Sequence, residues 1–399
     1  MRRNGFSFQW LVAVLSCIVF LACNARNPSA DDGALHITED NVVNLDRPFT
    51  ETMLQSWEAV FLDDSDDALL GDVSRLCYDD GLFFIESDAA GGDISIVVFD
   101  SMGHYRNRIG HRGNAGYEYV DFEGWTIDRD RNEVLIIGYN PDFCIKYYDY
   151  QGKYLRKQTI PDDDAYGPYC SCTCRPDGSV LLLTGFDLKH RLFYPDGGKV
   201  YPFMEDEYPA VDRLGSEARF LHMFECQTTD SYNGEIWLSR RLSNCLYCLA
   251  DGDSIPTAAV SMDFRDRYPD KGLAIDNQQE YLPYVMYRMF NLRDYVLIHY
   301  LGDASYLLLD KNSMQMYRDT WSYEELVERP VISIPEATDF FYSCYDNTLV
   351  DVLDQSSAED YLVKYSGKDF EGRVSPRLIE LYQKAAKSEN PVLVLYHLK

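Results

Sequence analysis

The sequence is poor in the groups that nucleic-acid binders and most enzyme classes need. Its 399 residues hold 37 Lys and Arg against 65 Asp and Glu, a formal net charge of −28. That balance argues against a nucleic-acid partner, whose phosphates must be neutralised by cationic side chains. It argues equally against docking on an anionic membrane through a basic patch. The seven histidines, at 36, 104, 111, 190, 222, 299 and 397, form no H-E-x-x-H or H-x-H pair. There is no G-x-S-x-G nucleophile elbow and no G-x-x-x-x-G-K-[ST] phosphate loop. The acidic runs Asp63-Asp64-Ser65-Asp66-Asp67 and Asp128-Arg129-Asp130 do not continue as an EF-hand, which needs a Gly and a distal Glu. No motif calls for a cofactor. After residue 22, no stretch is apolar enough to span a bilayer, which takes about 20 residues. The chain is nonetheless 46% hydrophobic, enough to bury a sizeable core.

The N-terminus carries an address. Arg2 and Arg3 precede an almost wholly apolar run from Phe6 to Ala22, and Cys23 follows. A charged start, a short apolar core and a small-residue end read as a secretory signal. Phe20-Leu21-Ala22-Cys23 resembles a relaxed bacterial lipobox of the kind common in Bacteroidetes lipoproteins. Phe20 stands where Leu is usual and Leu21 where a small residue is usual. The resemblance implies lipidation of Cys23, with palmitate-type acylation and cleavage before it. Two acyl chains anchor a protein stably where one does not. Residues 1–22 are then a lipoprotein signal peptide and 23–54 the lipidated Cys and a tether. Asn24 to Gly33 is polar, as a flexible tether should be. The implied location is the outer membrane. No acidic export tag directly follows Cys23, which favours the periplasmic side over the cell surface.

The rest of the chain repeats one unit: two strands across an Asp/Asn/Gly turn, then two more across a second turn. The first copy has Tyr78-Asp79-Asp80-Gly81-Leu82 and Phe99-Asp100-Ser101-Met102-Gly103. The next has Asp130-Arg131-Asn132-Glu133 and Tyr148-Asp149-Tyr150-Gln151-Gly152, so Asp-x-x-Gly recurs 49 positions on. Related pieces follow at Pro176-Asp177-Gly178, Asn233-Gly234, Arg293-Asp294 and Asp346-Asn347. A four-stranded antiparallel unit of about 40 to 50 residues is the signature of a β-propeller. The expected fold is an all-β, six-bladed propeller over residues 55–399. Trp57 to Leu62 and Pro391 to His397 are lone strands near the two ends, predicted to share the last blade and remove exposed sheet edges. Residues 356–390 read as a helical insertion in that blade. Ser375-Pro376 caps a helix whose Leu378, Leu381, Tyr382 and Ala385 fall on one face. Met204–Ser216 and Met262–Glu280 are long, polar interruptions.

On these residues, and on Gly110-His111-Arg112-Gly113-Asn114-Ala115-Gly116-Tyr117-Glu118-Tyr119, the sequence resembles the six-bladed β-propeller lipoproteins of Bacteroidales. That group has no settled common activity, so the resemblance implies fold and location but no reaction.

Candidate chemistry is sparse. Cys170, Cys172 and Cys174 fall on one face of a strand, where they could converge on a soft metal. Buried small hydrophobes are the plainer reading, and no metal site is called. Cys245 and Cys248 have knuckle spacing but sit in a strand, where i and i+3 face opposite ways. In the crossover after the first unit, Arg112, Glu118 and Tyr119 are candidate ligand contacts facing the central funnel. The function expected is a membrane-anchored binding or scaffolding module for a protein, small-molecule or glycan ligand at a propeller face. The alternative is a propeller enzyme, a metal-assisted hydrolase or lyase, with carboxylates at the central channel.

Overall fold

A computed structural model describes residues 33–89, 93–139, 142–160, 169–184, 190–194, 199–203, 229–239, 245–253, 255–262, 286–300, 303–319, 327, 329–336 and 341–399. The signal peptide, Cys23, Met204–Ser216 and residues 263–280 lie outside them. The chain opens with β1 (Leu35–Ile37), β2 (Val42–Leu45), a one-turn helix α1 (Phe49–Thr52) and β3 (Leu54–Phe61). The partners of these strands come later in the chain. The first sheet follows in strict order: β4 (Asp72–Asp79), β5 (Leu82–Ala89), β6 (Asp93–Asp100) and β7 (Tyr105–Ile109). The second is β8 (Asp121–Asp128), β9 (Glu133–Tyr139), β10 (Phe143–Asp149) and β11 (Tyr154–Thr159). The third is β12 (Tyr169–Cys174), β13 (Val180–Thr184), β14 (His190–Tyr194) and β15 (Lys199–Phe203).

The turns explain why the chain folds back where it does. In the first sheet Asp100 Oδ1 accepts the N–H groups of Met102 and His104, both at 2.9 Å. In the second, Asp149 Oδ1 accepts those of Gln151 (3.1 Å) and Lys153 (2.8 Å). The carboxylate thereby substitutes for strand partners that a turn cannot supply. The glycine three residues on closes each turn at positive φ, +88° at Gly103 and +81° at Gly152. It also meets the preceding sheet: a Cβ at 103 would lie 2.1 Å from the Phe61 carbonyl oxygen, and one at 152 would lie 2.8 Å from that of Arg108. The recurrent Asp-x-x-Gly is thus both a turn and a seam between sheets.

The fourth sheet consists of β16 (Ile236–Ser239), β17 (Cys245–Leu249) and β18 (Thr257–Met262), with β1 added in parallel beyond β18. An inner segment at 229–232 joins it through the Tyr232–Glu235 bridge and the Thr229 N–H to Trp237 carbonyl bond. The fifth is β19 (Met286–Asn291), β20 (Tyr295–Tyr300), β21 (Asp303–Asp310) and β22 (Met316–Asp319), with β2 added in parallel beyond β22. The sixth is β23 (Ser343–Tyr345), β24 (Thr348–Leu353), β25 (Val392–Leu398) and β3. In it Leu393 pairs with Val60 and Tyr396 with Trp57, so the two chain ends share one sheet.

Six apolar layers alternate with these six sheets. Val97 and Phe99 of the first sheet pack with Val350 and Leu393 of the sixth. Phe84 and Val98 meet Trp125 and Ile136 of the second. Ile137 and Ile145 meet Val180 and Leu182 of the third, and Leu181 meets Leu238 and Leu249 of the fourth. Leu246 and Val260 meet Val296 and Leu307 of the fifth. Leu297 and Leu308 meet Val394 and Tyr396 of the sixth. Each sheet therefore buries both faces, and each fully buried aliphatic side chain contributes about 1.5–3 kcal/mol.

Two expectations need correction. Uniform four-stranded units do not describe the fifth sheet, which has five strands, or the fourth, whose outer strand comes from the N-terminus. Residues 35–54, read as tether, belong to the fold. They lay strands along the outer edges of the fourth and fifth sheets before β3 completes the sixth. Ile37 and Val42 pack into the layer between the fourth and fifth sheets and Leu45 into that between the fifth and sixth, but three buried residues in two strands this short leave little trace in the sequence.

The insertion between β24 and β25 holds two helices, α2 (Gln355–Tyr365) and α3 (Pro376–Ala385). Ser375 caps α3 by accepting the Leu378 N–H, and Leu378, Leu381, Tyr382 and Ala385 are its buried residues. Tyr361, Tyr365 and Tyr382 stack together between the helices. Arg377 lies 3.9 Å over the Trp57 ring and donates to the Trp57 carbonyl at 2.8 Å, fixing the insertion to the closing strand.

Candidate functional site

The innermost strands bring together side chains far apart in sequence. Arg75 on β4 reaches across the centre of the ring. It donates to the Trp125 carbonyl of the second sheet, to the Cys172 carbonyl of the third at 3.5 Å, and to Asp230 Oδ1 of the fourth at 2.7 Å. One guanidinium thus touches three sheets beyond its own, a use of its planar fork that Lys cannot copy. It also lies 5.3 Å over the Trp125 ring. The indole N–H of Trp125 donates to Glu86 Oε2 at 2.6 Å, and Ser74 holds the other oxygen at 2.6 Å. Asp230 receives a second contact from the Cys77 thiol at 3.5 Å. Asp79, at the end of β4, takes the Tyr150 hydroxyl at 2.5 Å and Arg129 Nε at 3.5 Å.

The same centre continues through the fifth and sixth sheets. Asn291 Nδ2 donates to the Glu235 carbonyl at 2.9 Å and to that of Asp230 at 3.3 Å. Lys311 Nζ donates to Asn291 Oδ1 at 2.5 Å and pairs with Glu235 at 2.9 Å. The Cys344 thiol donates to the Asn291 carbonyl at 3.5 Å. At the hairpin tips, Arg293 pairs with Asp346 at 3.1 Å, and Tyr78 stacks on Tyr345 with centroids 4.0 Å apart.

Electrostatics define what this group can do. Burial pushes the Asp230 carboxyl upward, but the Arg75 and Arg129 guanidiniums outweigh it and hold the group below the usual carboxylate range. Burial, reinforced by Asp230, pushes the Cys77 thiol far above its ordinary value. Burial likewise lifts Cys172 and Cys344 to about 12. Burial and the bond to Asp79 raise the Tyr150 phenol. At neutral pH the centre therefore holds a pinned carboxylate, permanent guanidiniums and neutral thiols. A thiol must ionise to act as a nucleophile, and a carboxylate held this low is a weak base.

The crossover residues lie elsewhere. Glu118 accepts the Ala115 N–H at 2.7 Å and contacts His111 Nε2 at 2.9 Å. Gly113 lies against the Glu118 carboxylate, the movable end of that side chain. The backbone bond to Ala115 comes first among the causes that hold the Glu118 carboxyl below its ordinary value. Tyr119 is 2% exposed, in the apolar layer between the first and second sheets. The buried Lys146 ammonium donates to the Glu118 carbonyl, and the Tyr148 hydroxyl to that of Tyr117. Arg112 is exposed, donating to the Val120 carbonyl at 3.0 Å with Asp121 3.7 Å away. The structure brings the three together but corrects the expectation that all face the central funnel. Tyr119 packs inward and Glu118 ties its own loop, because the glycine-rich chain needs both to stay folded.

Cys172 and Cys174 are buried in the layer between the second and third sheets, and the Cys170 side chain lies outside the described residues. Among the described residues no group of three His, Cys, Asp or Glu converges as metal ligands. Cys245 packs with the layer toward the third sheet and Cys248 against the layer toward the fifth. Sequence reasoning missed the Arg75–Asp230 pair. The two are 155 positions apart, and nothing local marks either.

Radially packed antiparallel sheets around a polar centre define an all-β propeller. The chain belongs to the family described as Domain of unknown function (DUF4934), which matches residues 36–397. No curated protein matches it. Among solved structures it is similar to a protein from Bacteroides fragilis NCTC 9343 described as a candidate exported protein. Identity is 15% and the TM-score 0.63, over 92% of this chain and 99% of that one. A member of the DUF4221 family from Bacteroides vulgatus is 11% identical with a TM-score of 0.49, over 87% of this chain and 97% of that one. Virginiamycin B lyase from Staphylococcus aureus is 12% identical with a TM-score of 0.40, over 66% and 73%. At these identities the likeness shows the fold alone.

Proposed function

We propose that the chain is an exported lipoprotein, anchored through Cys23, whose six sheets are the six blades of a propeller serving as a binding or scaffolding module. The observation that carries the binding reading is the state of the central group. Asp230 is held as an anion by Arg75, Asp79 is paired with Arg129, and the thiols beside them are neutral. Such a centre offers fixed donors and acceptors rather than a poised acid, base or nucleophile, and supports a rigid recognition surface over turnover. The exported location rests on the Arg2–Cys23 segment, and the description of the Bacteroides fragilis neighbour agrees with it. The outer membrane, periplasmic side, is the location that the residues after Cys23 favour. Of the crossover residues, the exposed Arg112 remains the candidate ligand contact.

Cross-linking with mass spectrometry on native membranes, comparing wild type with Cys23→Ser, tests this. The expected result is an acylated N-terminal Cys23 peptide and one abundant partner lost from the membrane fraction of the variant. An unmodified Cys23 would sink the anchor. Turnover of a substrate abolished by Asp230→Asn would sink the binding reading.

A further inference from the structure

The centre of the ring holds more room than its hydrogen bonds fill. Arg75 touches three sheets beyond its own, yet it and Asp230 each keep 24% of their side-chain surface exposed. Arg129, just past the end of β8, keeps 33%, and Asp79 keeps 18%. Side chains gathered from several sheets stay this accessible only around a well wide enough for solvent. Within it, Arg129 has binding capacity to spare. Its Nε lies 3.5 Å from Asp79 Oδ1, and no hydrogen bond joins its two terminal nitrogens to any of the described residues. Its charge reaches inward: burial acts most strongly on the Asp230 carboxyl, but Arg75 and then Arg129 hold that group low. The other cations are committed. Arg75 is spent on two carbonyls and Asp230, Lys311 on Asn291 and Glu235. At the rim, Arg131 is paired with Asp128, and Arg293 with Asp294 and Asp346.

The surrounding charges select the ligand. Inside the well Arg75, Arg129 and Lys311 face Asp79, Asp230 and Glu235, so the formal charges balance. At its mouth the β4–β5 and β8–β9 tips add Asp80 and Asp130, which directly follow Asp79 and Arg129 in sequence. Both are exposed, and neither is hydrogen-bonded or ion-paired to any of the described residues. A guanidinium fork suits a carboxylate or a phosphate. A phosphate dianion would bring uncompensated charge into a balanced well, in a chain whose net charge is −28. A ligand with a carboxylate and a nearby ammonium brings none.

We propose that Arg129 is the carboxylate-binding residue of a subsite for a small zwitterion, an α-amino acid by class, whose ammonium group faces Asp80 and Asp130 at the mouth. The proposal rests on the binding reading of the centre and names its ligand class.

The test titrates the full chain by calorimetry with each of the twenty protein amino acids in turn, and with acetate, methylammonium and inorganic phosphate. At least one amino acid should bind about tenfold more tightly than any of the three ions, because only it meets both charges. It should also raise the melting temperature as it fills the site. Arg129→Gln should weaken binding by at least about thirtyfold, as removing one partner of a desolvated charge pair does. Arg129→Lys keeps the charge but not the fork, and should lose about tenfold. Asp80→Asn/Asp130→Asn preserves the turns, since Asn tolerates the φ of +46° found at position 80. It should bring the amino acid down to the affinity of acetate. Melting temperatures of the free variants check their folds. Absence of binding by every amino acid at about 10 mM, tighter binding of phosphate, or unchanged affinity in both Arg129 variants would overturn the proposal. Recovery of the bound amino acid unchanged upholds the binding reading. Its chemical conversion would overturn that reading and leave the Arg129 subsite standing.

Discussion

The two halves of the ring are closed by different means. The fourth, fifth and sixth sheets are edged by the N-terminal segment, and the fifth and sixth share one large apolar layer with the α2–α3 insertion. Among the described residues the first, second and third sheets gain no strand beyond their own four, and the Arg75 guanidinium of the first reaches the second, third and fourth across the centre. On top of the apolar layers that all six sheets share, one half gains added chain at its outer edges and the other a guanidinium that spans its inner edges. Apolar closure fails when volume is lost. Charged closure fails when a partner is removed or titrated. The two halves therefore respond to different perturbations.

The largest effect is expected on the apolar side. Trp57 sits in the closing strand, 8% exposed, with its indole N–H on the Ser333 carbonyl at 2.9 Å and Arg377 over its ring. Trp57→Ala should cost about 3–5 kcal/mol, as other large-to-alanine core changes do. It should also expose α3 to proteolysis. Urea unfolding with parallel proteolysis measures both. A loss under about 1 kcal/mol would show that the ends of the chain do not close the ring.

Next comes the seam at Gly103. Its φ of +88° is strained for any side chain, and an added Cβ would lie 2.1 Å from the Phe61 carbonyl oxygen of the closing strand. Gly103→Ala should cost about 2–3 kcal/mol. Gly116→Ala, with open space around it, should stay within about 0.5 kcal/mol. Equal melting temperatures for the two variants would refute the seam.

Such seams were legible because turn chemistry is local. The Asp-x-x-Gly at 100–103 and 149–152 marked two outer hairpins, and Asn233-Gly234 an inner one. The Ser375-Pro376 cap with its four apolar positions marked α3. The strap at 35–45 was not legible, since three- and four-residue strands bonded through backbone leave almost no side-chain pattern. The central site was not legible for a different reason. Arg75 and Asp230 meet only after four sheets have packed, and each alone looks like an ordinary polar residue in an alternating strand. The crossover drew attention through its glycines, which serve the loop itself.

On the charged side, Arg75→Ala leaves Asp230 without its main partner. Breaking a fully buried pair typically costs about 3–5 kcal/mol. Both side chains here keep about a quarter of their exposure, so about 2 kcal/mol is expected. Removing both charges with Arg75→Ala/Asp230→Ala should recover part of that, because no uncompensated carboxylate remains. A double variant as unstable as the sum of the singles would mean that the pair is not coupled.

The smallest effect is the most diagnostic of charged closure. The folded-state pKa of Asp230 lies below its unfolded value, which is about 3.9. The native state therefore binds fewer protons than the unfolded chain in acid. The stabilisation is fully present above about pH 4 and is lost as pH falls through the folded pKa. Asp294 contributes in the same direction, held low first by the Asn347 amide and then by Arg293. Without Arg75, burial is opposed mainly by Arg129, so the Asp230 carboxyl titrates higher and the acid limb attributable to it flattens. The stability penalty of Arg75→Ala should then be smaller at pH 3 than at pH 7, whereas that of Trp57→Ala, which removes no charge, should change little between the two. Urea midpoints for both variants at pH 7, 5 and 3 decide it. Parallel pH profiles would mean that the first three sheets are held, like the others, by packing alone.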